Sequence, residues 1–471
     1  MKRREFLELS VVASAGLILG CGGGGRGGSN SLKTTIKNNP LPIPKLNRGN
    51  IKNGIKHFDL NIQQSTHNFF SGISTKTYGI NSSYLGETLL LRDGEEVSIN
   101  FTNSLTEDTT MHGHGMHVPA SMDGGPHQKI SPNQTWSARY KVKQKACTNW
   151  YHPHLMGQTA RQVYMGLAGV MIIEDSESDA LDIPKRYGVD DIPLVLQDRF
   201  FDGNGEIDYS PSMREVMMGY KGDIYLTNGA IEPYFESENK EVRFRVLNGS
   251  NSSVYNLSFS DGRGFFVIAG DNSFLETKES VFSLRLSPGE RAEIVVDFSN
   301  DLGKTVKFQD TSKDAKFLEI RVSKNKTATT STPTNLTSLV LPSPATYTRS
   351  FTLNGSMGRL MINGKSMDLN RIDESIPINQ VEIWEVKNDM MMAHNFHIHA
   401  THFIVLERNG SSQNLFAHEK SYKDTVYLAS GDTVKLLVKM TDYTDANNPY
   451  MYHCHFLEHE DAGMMGQFVV V

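Results

Sequence analysis

The sequence predicts an all-β fold of three tandem β-sandwiches, on three observations. From Ile51 onward the chain is made of short runs of alternating apolar and polar residues, separated by Gly, Asn, Asp and Pro, with few long helical patterns. Such spacing belongs to sandwiches and barrels. Two polar stretches, 175–191 and the low-complexity 323–338 (SKNKTATTSTPTNLTS), divide the chain into units of comparable size. A turn followed by an alternating strand recurs in the three units, as DGEEVSINFTN, ENKEVRFRVLN and SGDTVKLLVKM.

The elements follow in order. Residues 1–28 read as a targeting segment. Lys2-Arg3-Arg4 precedes Phe6-Leu7 and an apolar run over 9–20, the pattern of a twin-arginine signal. The run is short for a membrane span, which needs ~20 apolar residues. LILGC, ending at Cys21, resembles a lipoprotein cleavage box, and the Gly-rich 22–28 would then tether the protein to a lipidated Cys21. Ordinary cleavage to an untethered product is the alternative; either way the expected location is the periplasm. The first unit spans 51–175, with strands expected over 96–101 and 166–174. The second spans 191–323, with strands over 243–248 and 291–298. The third spans 345–471, with a strand over 433–440.

Composition narrows the function. The 471 residues carry a net charge of −6, so no basic surface recruits nucleic acid. Three cysteines exclude a disulfide framework. Cys147, in KACTNWYHPH, reads as a buried packing thiol. Sixteen histidines and twenty methionines stand out, and ten of the histidines fall in four tight groups.

Those groups carry the chemistry. HGH places His112 and His114 on one strand face, and HPH repeats the spacing at His152 and His154. HNFHIH supplies His397 and His399 on one face, with His394 aimed elsewhere. In YHCHFLEHEDAGMM, alternation turns Cys454 to one side and His453 and His455 to the other. The four H-x-H pairs give eight imidazoles, the number for a three-metal cluster with two or three per metal. His394, Cys454, His459 and Met464 remain: two imidazoles, a thiolate and a distant thioether, the donor set of a blue copper site. Closed zinc sites use several cysteines and four ligands, and one thiolate among ten histidines does not fit them. A two-domain copper nitrite reductase has no use for four H-x-H pairs.

On these motifs, with MDGGPHQ, WYHPHLMGQTARQVYMGLAGVMIIED, HNFHIHATHF, KDTV and HCHFLEHEDAGMMG, the chain resembles the multicopper oxidases over about residues 51–471, closest to exported bacterial copper-efflux and laccase-like enzymes. The resemblance implies three cupredoxin-like Greek-key sandwiches and four copper ions. It implies a type-1 copper at His394, Cys454, His459 and Met464, and a type-2 copper at His112 and His397. One type-3 copper falls to His114, His152 and His455, the other to His154, His399 and His453. Asp123 and Glu460 match acids that deliver protons to the cluster, while Glu458 and Asp461 read as solvated loop charges. His117, His127, His402 and His418 read as surface or supporting residues. Two departures stand out. Gly113 replaces a tryptophan and Asn395 a proline, and both are expected to loosen the ligand loops or shift the blue-site potential. The methionine-rich insertion of the efflux enzymes is reduced to scattered methionines in NGSMGRLMINGKSM.

The implied activity couples one-electron oxidation of a donor to four-electron reduction of dioxygen to water, by a monomer. Asp389 and Met391, close before His394, are candidate ligands for Cu(I), since thioethers select soft ions. A phenolic donor is the alternative substrate, and a copper-free scaffold is the alternative of another class.

Overall fold

The computed structural model describes residues 39–471 apart from 328 and 357. The targeting segment 1–28 and Cys21 lie outside the described residues.

Each of the three units packs two sheets around an apolar core. In the first, one sheet runs Leu85–Gly86, Thr75–Ile80, Ile55–His67, Glu96–Asn103 and Thr135–Lys141. The other runs Leu46–Asn47, Thr88–Arg92, Gly169–Glu174, Cys147–His152 and His112–His114. The second unit pairs a seven-stranded with a five-stranded sheet, and the third a six- with a five-stranded one. Phe58, Leu60, Val97, Ile99 and Tyr151 sit in the first core. Phe244, Val246, Leu257 and Ile294 sit in the second, and Trp384, Val386, Phe396 and Leu436 in the third. Alternate residues of each strand reach these cores, as a period of two requires.

A common strand arrangement underlies the internal repeat. Glu96–Asn103 pairs in parallel with Ile55–His67 and antiparallel with Thr135–Lys141. Glu241–Asn248 sits likewise between Asp191–Arg199 and Arg291–Asp297. Val381–Asn388 sits between Tyr347–Ser356 and Thr433–Lys439. The third copy of the repeat is therefore Val381–Asn388 (VEIWEVKN), not the SGDTVKLLVKM strand expected from pattern alone, which lies between it and Phe403–Arg408. Each copy ends in a fully buried asparagine, Asn103, Asn248 or Asn388. Its Oδ1 accepts the backbone N–H two residues on, at 2.9, 3.1 and 3.0 Å. Its Nδ2 donates to carbonyls of the next loop. The side chain thus builds the turn that the backbone alone would leave unsatisfied.

The connections are better anchored than their composition suggests. Pro40 bridges Tyr234, and Leu41 enters the second core. Within 323–338, Leu336 is buried and donates its N–H to Glu276 O at 2.9 Å, while Thr334 O accepts from Lys278 N. The first and third units meet directly. Ala120, opening the short turn Ala120–Met122 of the first, packs into the third core, and helix Thr159–Tyr164 lies against helix Leu457–Asp461 through Ala160, Val163 and Leu457. Among the described residues no helix is long and apolar enough to cross a membrane.

Candidate metal centre

His394 opens strand His394–Ile398, whose neighbours are Thr425–Leu428 and Asp445–His453. The latter strand ends at His453 rather than running to His455, so pleat alternation does not by itself orient Cys454 and His455. The loop does so instead. Cys454 N donates to Met464 O at 3.1 Å, and Met464 N to His459 O at 2.9 Å, with helix Leu457–Asp461 between them. This gathers His394 Nδ1, Cys454 Sγ and His459 Nδ1 within 3.1–3.6 Å of one another. Met464 is fully buried in the same apolar cluster as Cys454. Burial pushes the imidazoles down, His394 to about 2 and His459 to about 4, and the Cys454 thiol up to about 12. The rings are neutral donors, and a metal entering there displaces the thiol proton.

The eight paired histidines meet between the first and third units. His152 pairs in register with His112, and His397 with His453. Rings from the two units stack: His112 on His399 at 3.9 Å between centroids, His114 on His397 at 3.8 Å. His152 Nε2 stands 3.4 Å from both His114 Nδ1 and His455 Nε2. His453 Nε2 stands 3.1 Å from both His154 Nε2 and His399 Nε2. His112 and His397 are left as a pair beside them, grouped with His114.

The opposite nitrogens decide what these contacts are. His114 Nε2 donates to Asp424 Oδ1 at 2.9 Å, His152 Nδ1 to Pro153 O at 2.8 Å, His399 Nδ1 to Asp123 Oδ2 at 2.7 Å, and His453 Nδ1 to Cys454 O at 3.1 Å. A neutral imidazole has one N–H, and burial keeps all of these rings far below their ordinary pKa. In each triad two facing nitrogens are thus lone pairs, His114 Nδ1 against His152 Nε2 and His399 Nε2 against His453 Nε2, and a cation between them relieves the contact. The Nε2 atoms of His112 and His397 are buried without a hydrogen-bond partner, while their Nδ1 atoms donate to Asp123 O at 2.7 Å and Asp424 O at 2.9 Å. That is the arrangement of metal-ligating histidines, one nitrogen fixed by an outer partner and the other free. The donor set fits copper: imidazoles throughout, with one thiolate and one thioether at the separate site.

Two buried acids border the cluster. Asp123 Oδ2 accepts from His399, and Oδ1 has no hydrogen-bond partner. Both Glu460 oxygens also lack one, and they stand 3.3 Å from His453 Nδ1 and 3.5 Å from His154 Nδ1. Burial pushes both carboxyls well above the ordinary range, favouring the protonated acid.

Other assignments need correction. Glu458 is not a solvated loop charge. It is 2% exposed, accepts from Asn251 Nδ2 at 2.8 Å and from the Ser252 hydroxyl, and ties the middle unit to the ligand helix. Asp461 accepts from the N–H groups of Thr159 and Ala160 at the start of the first-unit helix, and burial pushes it up to about 7. Both departures from the family motif lie in packed or bonded surroundings. Met116 and Met171 occupy the space beside Gly113. Asn395, fully buried, donates from Nδ2 to Ser287 Oγ and Pro288 O and accepts His455 N–H.

The middle unit contributes residues that pattern reasoning missed. Arg291, fully buried, donates to Asp424 Oδ1 at 2.8 Å and Oδ2 at 2.5 Å. Asp424 thereby joins the middle unit to His114 of the first and, through its carbonyl, to His397 of the third. The adjacent Lys423-Asp424, charged yet flanking the apolar strand Thr425–Leu428, was the available signal. His418 is likewise buried, against Glu290 at 3.3 Å, and His402 bonds Gly115 O at 2.9 Å.

On the outer side, His459 Nε2 donates to Met217 O at 3.2 Å. Helix Met213–Met218, which carries Met217, lies against the ligand helix. Asp389 pairs with Lys387 at 2.7 Å, and Met391 is 96% exposed. No hydrogen bond or ion pair among the described residues links either to His394 or His459.

Three family models, each described as multicopper oxidase, match residues 61–178, 190–334 and 333–471. The chain is 37% identical over 422 residues to the multicopper oxidase mco of Staphylococcus haemolyticus (strain JCSC1435), covering 89% of each protein. It is 34% identical over 488 residues to the cell division protein FtsP of Escherichia coli (strain K12), covering 100% of this chain and 99% of that one. The solved laccase-like multicopper oxidase CueO of Ochrobactrum sp., with oxidase activity towards lignin model compounds and lignosulfonate, superposes with a TM-score of 0.85. It is 36% identical, over 92% of this chain and 100% of that one.

Proposed function

The chain belongs to the multicopper oxidase family, an oxidoreductase of three cupredoxin-like sandwiches, and on that premise we propose that it is an exported enzyme which takes electrons singly from a small reductant and passes them to dioxygen. One observation carries the proposal: buried neutral imidazoles converge in two separate triads, each with two lone pairs facing one another at 3.1–3.4 Å, beside a thiol flanked by two more imidazoles. A scaffold without metal would have no use for that arrangement.

His394, Cys454, His459 and Met464 would hold the type-1 copper, and His112 and His397 the type-2. His114, His152 and His455 would hold one type-3 copper, and His154, His399 and His453 the other. When bound, the four coppers supply one-electron uptake at the single site and four-electron reduction of dioxygen to water at the cluster. The protein supplies the rest. His453, Cys454 and His455 are consecutive, so a few covalent bonds join the two centres. Asp123 and Asp424 fix which nitrogen of each partner imidazole is free. Glu460 and Asp123, protonated through burial, stand where the reduction of dioxygen consumes protons.

The electron-entry side favours a small donor. His394 and His459 are buried, and the Met217 carbonyl covers the outer nitrogen of His459. Exposed thioethers at Met213, Met218 and Met391 suit cuprous ion, so oxidation of Cu(I) in copper tolerance is the reading we prefer. Oxidation of phenols is the second reading. It is favoured by the missing methionine-rich insertion and by the activity of the Ochrobactrum enzyme. The likeness to the cell division protein FtsP leaves a copper-free scaffold as the alternative of another class, but this chain keeps every candidate ligand. Export by the twin-arginine route, to the periplasm or a lipid tether at Cys21, completes the proposal.

Oxygen uptake by the copper-loaded protein, with Cu(I), Fe(II), Mn(II) and phenols as donors, tests it. Cu(I) should sustain turnover, and replacing Asp389 by Asn and Met391 by Ala should lower it while phenol oxidation is unchanged. Uptake with no donor sinks the oxidase reading, and Cu(I) turnover indifferent to the double variant sinks the cuprous site.

A further inference from the structure

We propose that Asn395 is a positioning residue that ties the electron-entry copper site to the middle unit and lowers that site's reduction potential. The inference rests on the copper assignment above.

The carboxamide is held at both ends by partners with only one possible role. Nδ2 donates to Pro288 O at 2.8 Å, and a carbonyl can only accept. Oδ1 accepts from His455 N at 2.6 Å, and a peptide N–H can only donate. The amide therefore has one orientation. A second anchor reinforces it. Ser287 Oγ donates to Glu290 Oε2 at 2.8 Å, which leaves its lone pair for Asn395 Nδ2 at 3.0 Å. Glu290 is itself paired with the buried Lys423 at 2.9 Å. The same loop presses on the far side of His455: at Gly289, with φ +83°, a Cβ would lie 3.1 Å from the His455 ring. The middle unit thus clamps the segment that joins the two centres, at the backbone of His455 through Asn395 and at its ring through Gly289.

The fixed orientation has an electrostatic consequence. Asn395 Oδ1 stands 3.7 Å from Cys454 Sγ in a site from which water is excluded. The negative end of the amide dipole faces the sulfur. Reduction adds one negative charge to the metal–thiolate unit, so this dipole disfavours the reduced form and lowers the potential. A lower potential at the entry site strengthens the drive of electrons toward the cluster and narrows the donors to stronger reductants.

The test uses Asn395→Leu, which removes both amide ends while keeping the branched side-chain shape, and Ser287→Ala, which removes one anchor without touching the copper loop. Redox titration of the blue absorption in copper-loaded protein should show N395L favouring reduction by about tenfold, equivalent to ~59 mV for a one-electron couple. S287A should shift in the same direction by less. Hydrogen exchange of the His455 amide in copper-free protein should accelerate by about tenfold in N395L, because its acceptor is gone. Unchanged potential in both variants with the blue band intact overturns the tuning role, and unchanged His455 exchange overturns the clamp. If N395L does not fold, the direction of the S287A shift decides alone. Absence of a blue band in the natural protein is a different result: it defeats the copper assignment, while the exchange experiment still judges the clamp.

Discussion

Replacing Arg291 by Met should destabilise the interface of all three units, although among the described residues Arg291 makes no hydrogen bond to a candidate ligand. The guanidinium is fully buried and donates to Asp424, to the carbonyls of Thr148 and Gly289 at 2.9 Å, and to Asn149 Oδ1 at 2.9 Å. Without it, Asp271 keeps Lys423 at 3.0 Å. Asp424 keeps only the neutral donors Asn272 Nδ2 at 2.7 Å, Thr425 Oγ1 at 2.8 Å and His114 Nε2 at 2.9 Å. Breaking a buried pair and leaving one charge uncompensated costs ~3–5 kcal/mol. That is a large share of the ~5–15 kcal/mol that holds a domain folded. Adding Asp424→Asn removes the stranded charge, so the double variant should be more stable than the sum of the single effects by at least ~1 kcal/mol. Denaturant unfolding of the copper-free protein reads this through tryptophan fluorescence. Trp136, Trp150 and Trp384 all lie outside the middle unit, so a shift caused by Arg291 must travel through the interface. A cost below ~1 kcal/mol, or strict additivity with D424N, would refute the reasoning.

Three further outcomes follow from the same geometry. Glu460→Gln should leave copper content and the blue band intact and slow oxygen uptake by about 10²-fold, as loss of a positioned proton donor does; an oxygen electrode with parallel metal analysis checks it. Gly115→Ala should lose copper on dialysis and destabilise the copper-free protein by ~1–3 kcal/mol. There φ is +83° and a Cβ would lie 2.6 Å from Asn149 Oδ1 and Asp424 Oδ2 and 2.7 Å from Arg291 Nη2. Finally, Arg291 and His114 hold the Asp424 carboxyl well below its ordinary pKa despite the opposing effect of burial. A depressed folded-state value means that its stabilisation is complete above the unfolded value of ~3.9 and is lost as pH falls toward the folded one. Acid titration of unfolding should show natural protein and D424N differing most above about pH 4 and converging below it.

The residues that converge at the two candidate centres were legible because they sit in local motifs, where two histidines one residue apart, or a cysteine between two of them, need no long-range information. The repeat was legible in kind but not in register. SGDTVKLLVKM has the right alternation, yet alternation cannot distinguish the central strand from its neighbour; the buried asparagine ending each copy can. What escaped was set by contacts across the chain. Arg291 reaches Asp424 over 133 positions, and Asn395 reaches Pro288 over 107. Glu458 looked solvated because its own neighbours are polar, whereas its partners Asn251 and Ser252 come from another unit. Asn395 looked like a lost proline constraint for the same reason: its constraint is supplied by a loop more than a hundred residues away.

Reconstitution with copper, followed by metal analysis and absorption spectroscopy, decides whether the converging histidines and Cys454 are copper sites. The expected result is four coppers per chain and the intense blue absorption of a copper–thiolate bond, with Cys454→Ser abolishing the blue absorption and removing one copper while three remain. A natural protein that takes up copper without blue absorption, or a C454S variant that keeps it, would rule out a type-1 copper at Cys454.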